Sequence, residues 1–341
     1  VRDSLLSWIT DFLTNREQSV VIQGKTSKPV HVDSGVPQGT VLGPLLFLCY
    51  INYLPDGLTS NVCLFADDCL VFRPIVNKDD CLTLQKDLHK LTKWERKWQM
   101  NFKPEKCSVM RFTRKRSPIL HSYSLSGHKL TESRQQKYLG VTLSSDLKWN
   151  NHIENITAKA NSVNGFIRRN LSNAPIHVKV QEYKSLTRPH TEYCSSVWSP
   201  HTKKYTNKIE AVQRKAARII KNDYSWTSSV TTMLNELKLP LLQHRRQLNS
   251  LVMFHKIMFH HIDLDIDNFL SQQESPATRT RMTTRSCKPN QLVVPQSNSQ
   301  DHLHSFFPQM AREWNKLPQQ ITSLYSTQSF KTELQKHMQL E

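Results

Sequence analysis

Apolar residues along this chain recur at mixed helical and strand spacings in the first third, then almost wholly at helical spacing. Leu5, Leu6, Trp8, Ile9, Phe12 and Leu13 line one face of a helix that Asp3 can cap and that closes near Asn15. Residues 20–23 and 29–32 read as hairpin strands turning at Gly24-Lys25. The apolar run 41–54 predicts a buried helix with Pro44 in its first turn. Two β-rich runs, 62–65 and 69–72, predict a second hairpin. Asp79 and Asp80 then open a helix carrying Leu84, Leu88, Leu91, Trp94 and Trp98 on one face. A strand over 108–112, a basic loop (Arg114-Lys115-Arg116), another hairpin and a strand over 138–143 complete this part.

From Lys148 onward helices are expected around 153–171, 178–186, 207–221 and 241–261. Residues 272–300 are polar, with few large apolar side chains, and read as a linker before a short helical unit. The pattern predicts an α+β fold: an antiparallel sheet with helices over 1–145, and a mainly helical region over 146–271. The linker over 272–300 and a helical unit over 301–341 follow.

Charge narrows the partners. Lys and Arg number 46 against 28 Asp and Glu, a net charge of +18. That balance makes nucleic acid the leading partner. An anionic membrane is the rival, but the run 41–54 is interrupted by Gly43, Pro44 and Asn52 and falls short of the ~20 residues that span a bilayer. Seven cysteines with no Cys-x-x-Cys pair argue against a disulfide framework or zinc knuckle. With no charged and apolar leader after Val1, an intracellular protein is expected. Cys63 and Cys69 read as small apolar fillers, and the histidines lack paired ligand spacing.

In the helix over 207–221, Ile209, Val212, Ala216, Ile219 and Ile220 gather on one side at ~100° per residue, with Arg214, Arg218 and Lys221 almost opposite. That basic face is either solvated surface or a rail along a phosphate backbone. Trp94, Trp98 and Trp149 can stack on bases, although the helical spacing of the first two favours a core.

The sharpest chemistry is Asp67-Asp68, between the strands of the second predicted hairpin. Adjacent carboxylates repel unless a cation sits between them, and hard oxygen ligands suit Mg²⁺. Carboxylates holding metal ions are the machinery of polymerases and nucleases, yet an Asp pair alone is more often a feature of a solvated loop. Upstream, Ser34-Gly35-Val36-Pro37-Gln38-Gly39-Thr40 joins a strand to a helix. Its glycines allow close backbone approach, and Gln38 offers both donor and acceptor to a nucleotide.

Together these segments resemble the reverse transcriptases of non-LTR retrotransposons, particularly the jockey-like group. The 34–40 segment is similar to that family's palm motif B, and Phe65-Ala66-Asp67-Asp68 to its motif C. Asn101-Phe102-Lys103-Pro104-Glu105-Lys106-Cys107 resembles motif D, and Tyr138-Leu139-Gly140-Val141 the primer-grip motif E. The segments 197–200, 210–220, 305–308 and 313–318 resemble the stretches these elements carry beyond the palm.

The resemblance implies a partial palm followed by a helical thumb. It implies an RNA-directed DNA polymerase using Mg²⁺ or Mn²⁺, an RNA template, a DNA primer and deoxynucleoside triphosphates. Asp67 and Asp68 would be the metal ligands, and Lys106 would act on the leaving pyrophosphate. Gln38 and Gly39 would floor the nucleotide pocket, with Phe65, Ala66, Tyr138, Leu139 and Gly140 at the primer end. Arg214, Arg218 and Lys221 would meet the backbone. A nuclear location during integration and a cytoplasmic ribonucleoprotein follow from the same resemblance.

One part of the pattern is missing. The family's third carboxylate lies in motif A, before motif B, and Asp3, Asp11 and Asp33 stand in the wrong context for it. The expectation is that motif A, the fingers and an endonuclease precede Val1. The reading opposed to catalysis is a truncated relic that binds nucleic acid by charge.

Overall fold

In the computed structural model, which describes residues 2–264, 266, 269–270 and 291–340, the chain divides between Arg134 and Gln135. The fold is α+β, with helices dominating the second unit.

The first unit opens with α1 (Asp3–Leu13), whose apolar face is uncovered: Leu5, Leu6 and Trp8 are each about half exposed. The expected Asp3 cap does not form, because Asp3 is itself the first helical residue and Arg2 precedes it. Next come β1 (Arg16–Gln18), β2 (Val21–Ile22), β3 (Lys25–Thr26) and β4 (Val30–Val32). β2 pairs with β3 and β1 with β4, rather than 20–23 with 29–32. The two-residue loop Gln23-Gly24 closes the inner ladder, and both residues take the positive φ that such a turn needs.

α2 (Leu42–Ile51) is less buried than its sequence suggests, with only Gly43 and Ile51 buried and Leu45 and Leu48 exposed. β5 (Asn61–Phe65) and β6 (Asp68–Phe72) form the expected hairpin, and α3 (Lys78–Trp98) follows. Asn77 caps α3 reciprocally with Asp80: each side chain accepts from the other residue's backbone N–H. Short strands β7 (Ser108–Val109), β8 (Ser124–Leu125), β9 (His128–Lys129) and β10 (Thr131–Glu132) complete the unit. Its core joins Ile51 at the end of α2 and Leu54 just after it, Leu88 and Leu91 of α3, Tyr123 and Leu125, with Val62, Leu64 and Val71 packed on them. Trp94 belongs to that core and stacks on Trp98, which also stacks on Tyr53 at 5.9 Å; both tryptophans serve packing.

The second unit begins with the hairpin β11 (Gln135–Tyr138) and β12 (Val141–Ser144), so the run 138–143 is not one strand but the end of β11, the turn Leu139-Gly140 and most of β12. Every described strand of the chain pairs in a two-stranded ladder; β7 with β10 is parallel and the other five are antiparallel. The helices are α4 (Asn150–Asn170), α5 (Ile176–Glu182), α6 (Pro189–Glu192), α7 (Ser195–Trp198), α8 (Lys203–Lys221), α9 (Val230–Glu236) and α10 (Leu242–Met258). Beyond them lie α11 (Gln300–Leu303), α12 (Phe306–Lys316), α13 (Gln319–Thr322) and α14 (Thr327–His337).

α8 buries the predicted face: Ile209, Val212, Ala216, Ile219 and Ile220 are all buried, Ala216 and Ile220 in a core with Tyr183 and Leu234 and Ile209 in one with Trp198. Buried Glu210 accepts from the backbone N–H groups of Leu242 and Gln243, capping α10 from a different helix. α10 carries the last core, where Leu248, Leu251, Phe254 and Ile257 meet Met310, Trp314, Phe330 and Leu334. Most of the proposed linker lies outside the described residues. Its described end is anchored, since buried Leu292 exchanges two 2.9 Å backbone hydrogen bonds with the Asn315 side chain. No helix among the described residues is long and apolar enough to cross a membrane.

Candidate active site and nucleic-acid interface

The β5–β6 ladder pairs Phe65 with Asp68 and leaves Ala66 and Asp67 as its two-residue tip. Ala66 takes a positive φ of 51°, a conformation usually left to glycine or asparagine. Alternation sends Val62, Leu64 and Val71 into the core, while Asn61, Cys63, Phe65, Asp68, Leu70 and Phe72 share the open face. Both aspartates are exposed, and among the described residues neither side-chain carboxylate has an ion pair or hydrogen bond. Two unpartnered hard-oxygen ligands side by side fit a divalent cation by donor chemistry. Among the described residues no group of three or more His, Cys, Asp or Glu side chains forms a metal site.

Both open ends of this hairpin are tied to α3. Asp87, fully buried, accepts from Thr59 N–H (3.1 Å), Thr59 Oγ1 (2.9 Å) and Ser60 N–H (2.8 Å), immediately before β5. Lys90 pairs with its other oxygen at 3.1 Å. Burial alone would raise the Asp87 pKa, but the hydrogen bonds from Ser60, Lys90 and Thr59 outweigh it and hold the carboxyl well below its ordinary range. After β6, Arg73 meets Asp80 at 3.4 Å. Sequence reasoning missed Asp87, since its partners lie 27 and 28 residues away.

The 34–40 loop is held from both sides. Arg16 donates to the carbonyls of Ser34 (3.2 Å) and Gly35 (2.8 Å). Thr40 Oγ1 donates to the Pro37 carbonyl (2.9 Å) and accepts from Gly43 N–H (3.1 Å). Gly35 and Gly39 take φ of 75° and 77°, and Gln38 and Gly39 are exposed. The end of α2 and the β5–β6 hairpin share one core, which fixes loop and aspartates within one unit. Lys106 ends a 3₁₀ turn (Pro104–Lys106) in that unit and is exposed.

The other predicted residues belong to the second unit. Leu139 and Gly140 form a two-residue turn with φ of 44° and 83°. Tyr193 Oη donates to the Leu139 carbonyl at 2.9 Å, and a Cβ on Gly140 would lie 3.1 Å from the Tyr193 ring. Trp198 Nε1 donates to the Tyr193 carbonyl at 2.8 Å, so this turn is braced by a buried tryptophan through Tyr193.

On α8 the three cations differ. Arg214 is exposed and has no recorded partner among the described residues. Arg218 donates to the carbonyls of Asp223, Ser225 and Ser228, and Lys221 pairs with Glu236 at 2.6 Å. Two of the three thus hold the segment after α8 together.

Residues 2–143 match the family described as reverse transcriptase (RNA-dependent DNA polymerase). The 34–40 loop, the Asp67-Asp68 hairpin and Lys106 all fall inside this matched segment. The chain is 27% identical over 240 residues to a probable RNA-directed DNA polymerase from transposon X-element of Drosophila melanogaster, covering 68% of this chain and 26% of that relative. It is 29% identical over 257 residues to the RNA-directed DNA polymerase from mobile element jockey of the same fly, covering 70% and 27%. A jockey polymerase of Drosophila funebris is 28% identical over 255 residues, covering 69% and 27%. The chain therefore spans about a quarter of the length of these relatives. No solved structure matches it. The similarity to polymerases of mobile elements agrees with the non-LTR retrotransposon resemblance drawn from the motifs.

Proposed function

We propose that the chain is the palm and thumb portion of an RNA-directed DNA polymerase of a non-LTR retrotransposon, extending a DNA 3′-OH on an RNA template. The observation that carries this is the exposed, unpartnered Asp67 and Asp68 carboxylates, set on a hairpin whose two ends are clamped to α3 inside the matched segment. A site that must hold metal and substrate in register needs such a rigid base. Asp67 and Asp68 would hold Mg²⁺ or Mn²⁺, which when bound supplies positive charge to the attacking and leaving oxygens.

The chain's own side chains do the rest. Gln38, beside the backbone of Gly39, orients the incoming deoxynucleoside triphosphate, and Phe65 and Ala66 support the primer end. Lys106 donates a proton or charge to the departing pyrophosphate. The braced turn at Tyr138, Leu139 and Gly140 grips the primer strand. Arg214, with Arg218 and Lys221 in line, tracks the phosphate backbone. Action in the nucleus during integration and in a cytoplasmic ribonucleoprotein belongs to the same reading. In a polymerase of the relatives' length carrying this sequence, Asp67→Asn should abolish single-nucleotide incorporation while template–primer binding stays near normal. Near wild-type turnover by that variant would favour the non-catalytic reading, in which the chain binds nucleic acid by charge alone.

A further inference from the structure

The segment between α8 and α9 is fixed by polar contacts yet presents two aromatic rings to water. Trp226 is 91% exposed and Tyr224 53%. Among the described residues neither ring stacks on another aromatic side chain. Exposed indole is unfavourable and uncommon, because it forgoes the burial that tryptophan normally gains. Nor is this a slack loop. Arg218 gathers the Asp223, Ser225 and Ser228 carbonyls, Ser225 N–H donates to Asp223 Oδ1 at 2.9 Å, and Ser225 Oγ lies 2.8 Å from Thr227 Oγ1. Ser229 then caps α9, accepting from Thr232 N–H.

Cations on α8 point in one direction, although Lys221 pairs with Glu236 and Asp223 lies next to Tyr224. At ~100° per residue Lys203, Arg214, Arg218 and Lys221 fall within about 60° of one another on α8. The stripe is about 27 Å long at 1.5 Å per residue and ends at the aromatic segment. A cationic rail leading to exposed rings is what single-stranded nucleic acid requires, with phosphates on the rail and unpaired bases stacked on the rings. A duplex engages only the rail, because its bases already stack on each other. A protein partner gains nothing from a row of cations unless it is acidic.

We propose that residues 222–229 form a base-stacking site for single-stranded nucleic acid, with Trp226 as its platform and Tyr224 beside it. The proposal rests on the reading of α8 as a backbone-contacting helix, and extends it from charge to base contact. The test uses the 341-residue chain with a 15-nucleotide oligouridylate and a blunt 20-base-pair DNA duplex. Trp226→Ala should weaken oligouridylate binding about tenfold, within the range for one lost stacking platform, and leave duplex binding and the salt slope unchanged. Trp226→Phe should restore most of the loss. Arg214→Gln should instead lower the salt slope on both probes. Unchanged oligouridylate affinity in Trp226→Ala, or equal loss on both probes, overturns the stacking site; a protein-binding surface is then the better reading. If Arg214→Gln still changes the slope in that case, the α8 reading survives the failure.

Discussion

Asp87 anchors the hairpin that carries Asp67 and Asp68 although it lies far from the tip. Three donors from Thr59 and Ser60 converge on it, and all lose their acceptor in Asp87→Ala. Removing one member of such a buried charged network costs about 3 kcal/mol or more, so the urea midpoint of the first unit's unfolding should fall clearly. The pH dependence has a fixed sign. An unfolded aspartate titrates near 3.8 and the folded Asp87 lies well below it, so its contribution is complete above that value and is lost as pH falls through the folded pKa. The stability gap between wild type and Asp87→Asn should therefore narrow on acidification below about pH 4, and a gap that widened would show that the charge is not what holds the hairpin. Asp67→Asn should behave oppositely, with little change in stability and a rate loss beyond the 10²–10³ typical of one transition-state contact; parallel unfolding and incorporation curves check it. The hairpin that carries Asp67 and Asp68 is legible because an Asp pair between β-rich runs is a local signal. Asp87 sits in a helix among Lys86, Lys90 and Lys93 and reads as ordinary solvated charge; its partners are set by folding alone.

Elements with a long helical period were legible to within a few residues: α8 starts at Lys203 where 207 was expected, and α10 runs Leu242–Met258 against 241–261. Short strands were not, since a two-residue ladder has too few side chains to show a period, and turn chemistry decides the pairing instead. The linker reading over 272–300 missed Leu292, where one apolar residue and the Asn315 amide anchor the backbone. The boundary between α2 and the 34–40 loop gives a test at this scale. A Cβ on Gly43 would stand 2.8 Å from the Pro37 carbonyl, a backbone atom that cannot swing aside. Gly43→Ala should push the loop away from α2 at a cost of about 1–3 kcal/mol. The check is protease sensitivity at 34–40 together with the melting temperature, and an unchanged pair of values would mean the loop yields freely. On α8, Arg218→Gln should expose the 223–228 segment to proteolysis, whereas Arg214→Gln should leave it intact, because only Arg218 holds its carbonyls.

At the scale of the whole molecule, binding and chemistry come apart. The net charge of +18 is spread over a chain with many cations that lack acidic partners, so the 341-residue chain should bind RNA and DNA with little sequence preference. Each phosphate neutralised releases counterions, and the affinity should fall steeply and linearly in log salt. Arg214→Gln should reduce that slope by about one unit if the guanidinium meets a phosphate. Catalysis asks for more than charge. Two metal ions clamped on attacking and leaving oxygens need a full set of ligands, and among the described residues no three such side chains converge. The isolated chain should therefore show tight, salt-sensitive binding but no template-dependent DNA synthesis with Mg²⁺ or Mn²⁺. The measurement is primer extension at salt low enough for saturation, so that a negative result reflects chemistry rather than occupancy. Robust incorporation above a no-enzyme control would mean that Asp67 and Asp68 suffice to hold the metal ions, and that the hairpin alone, rather than a third carboxylate, completes the site.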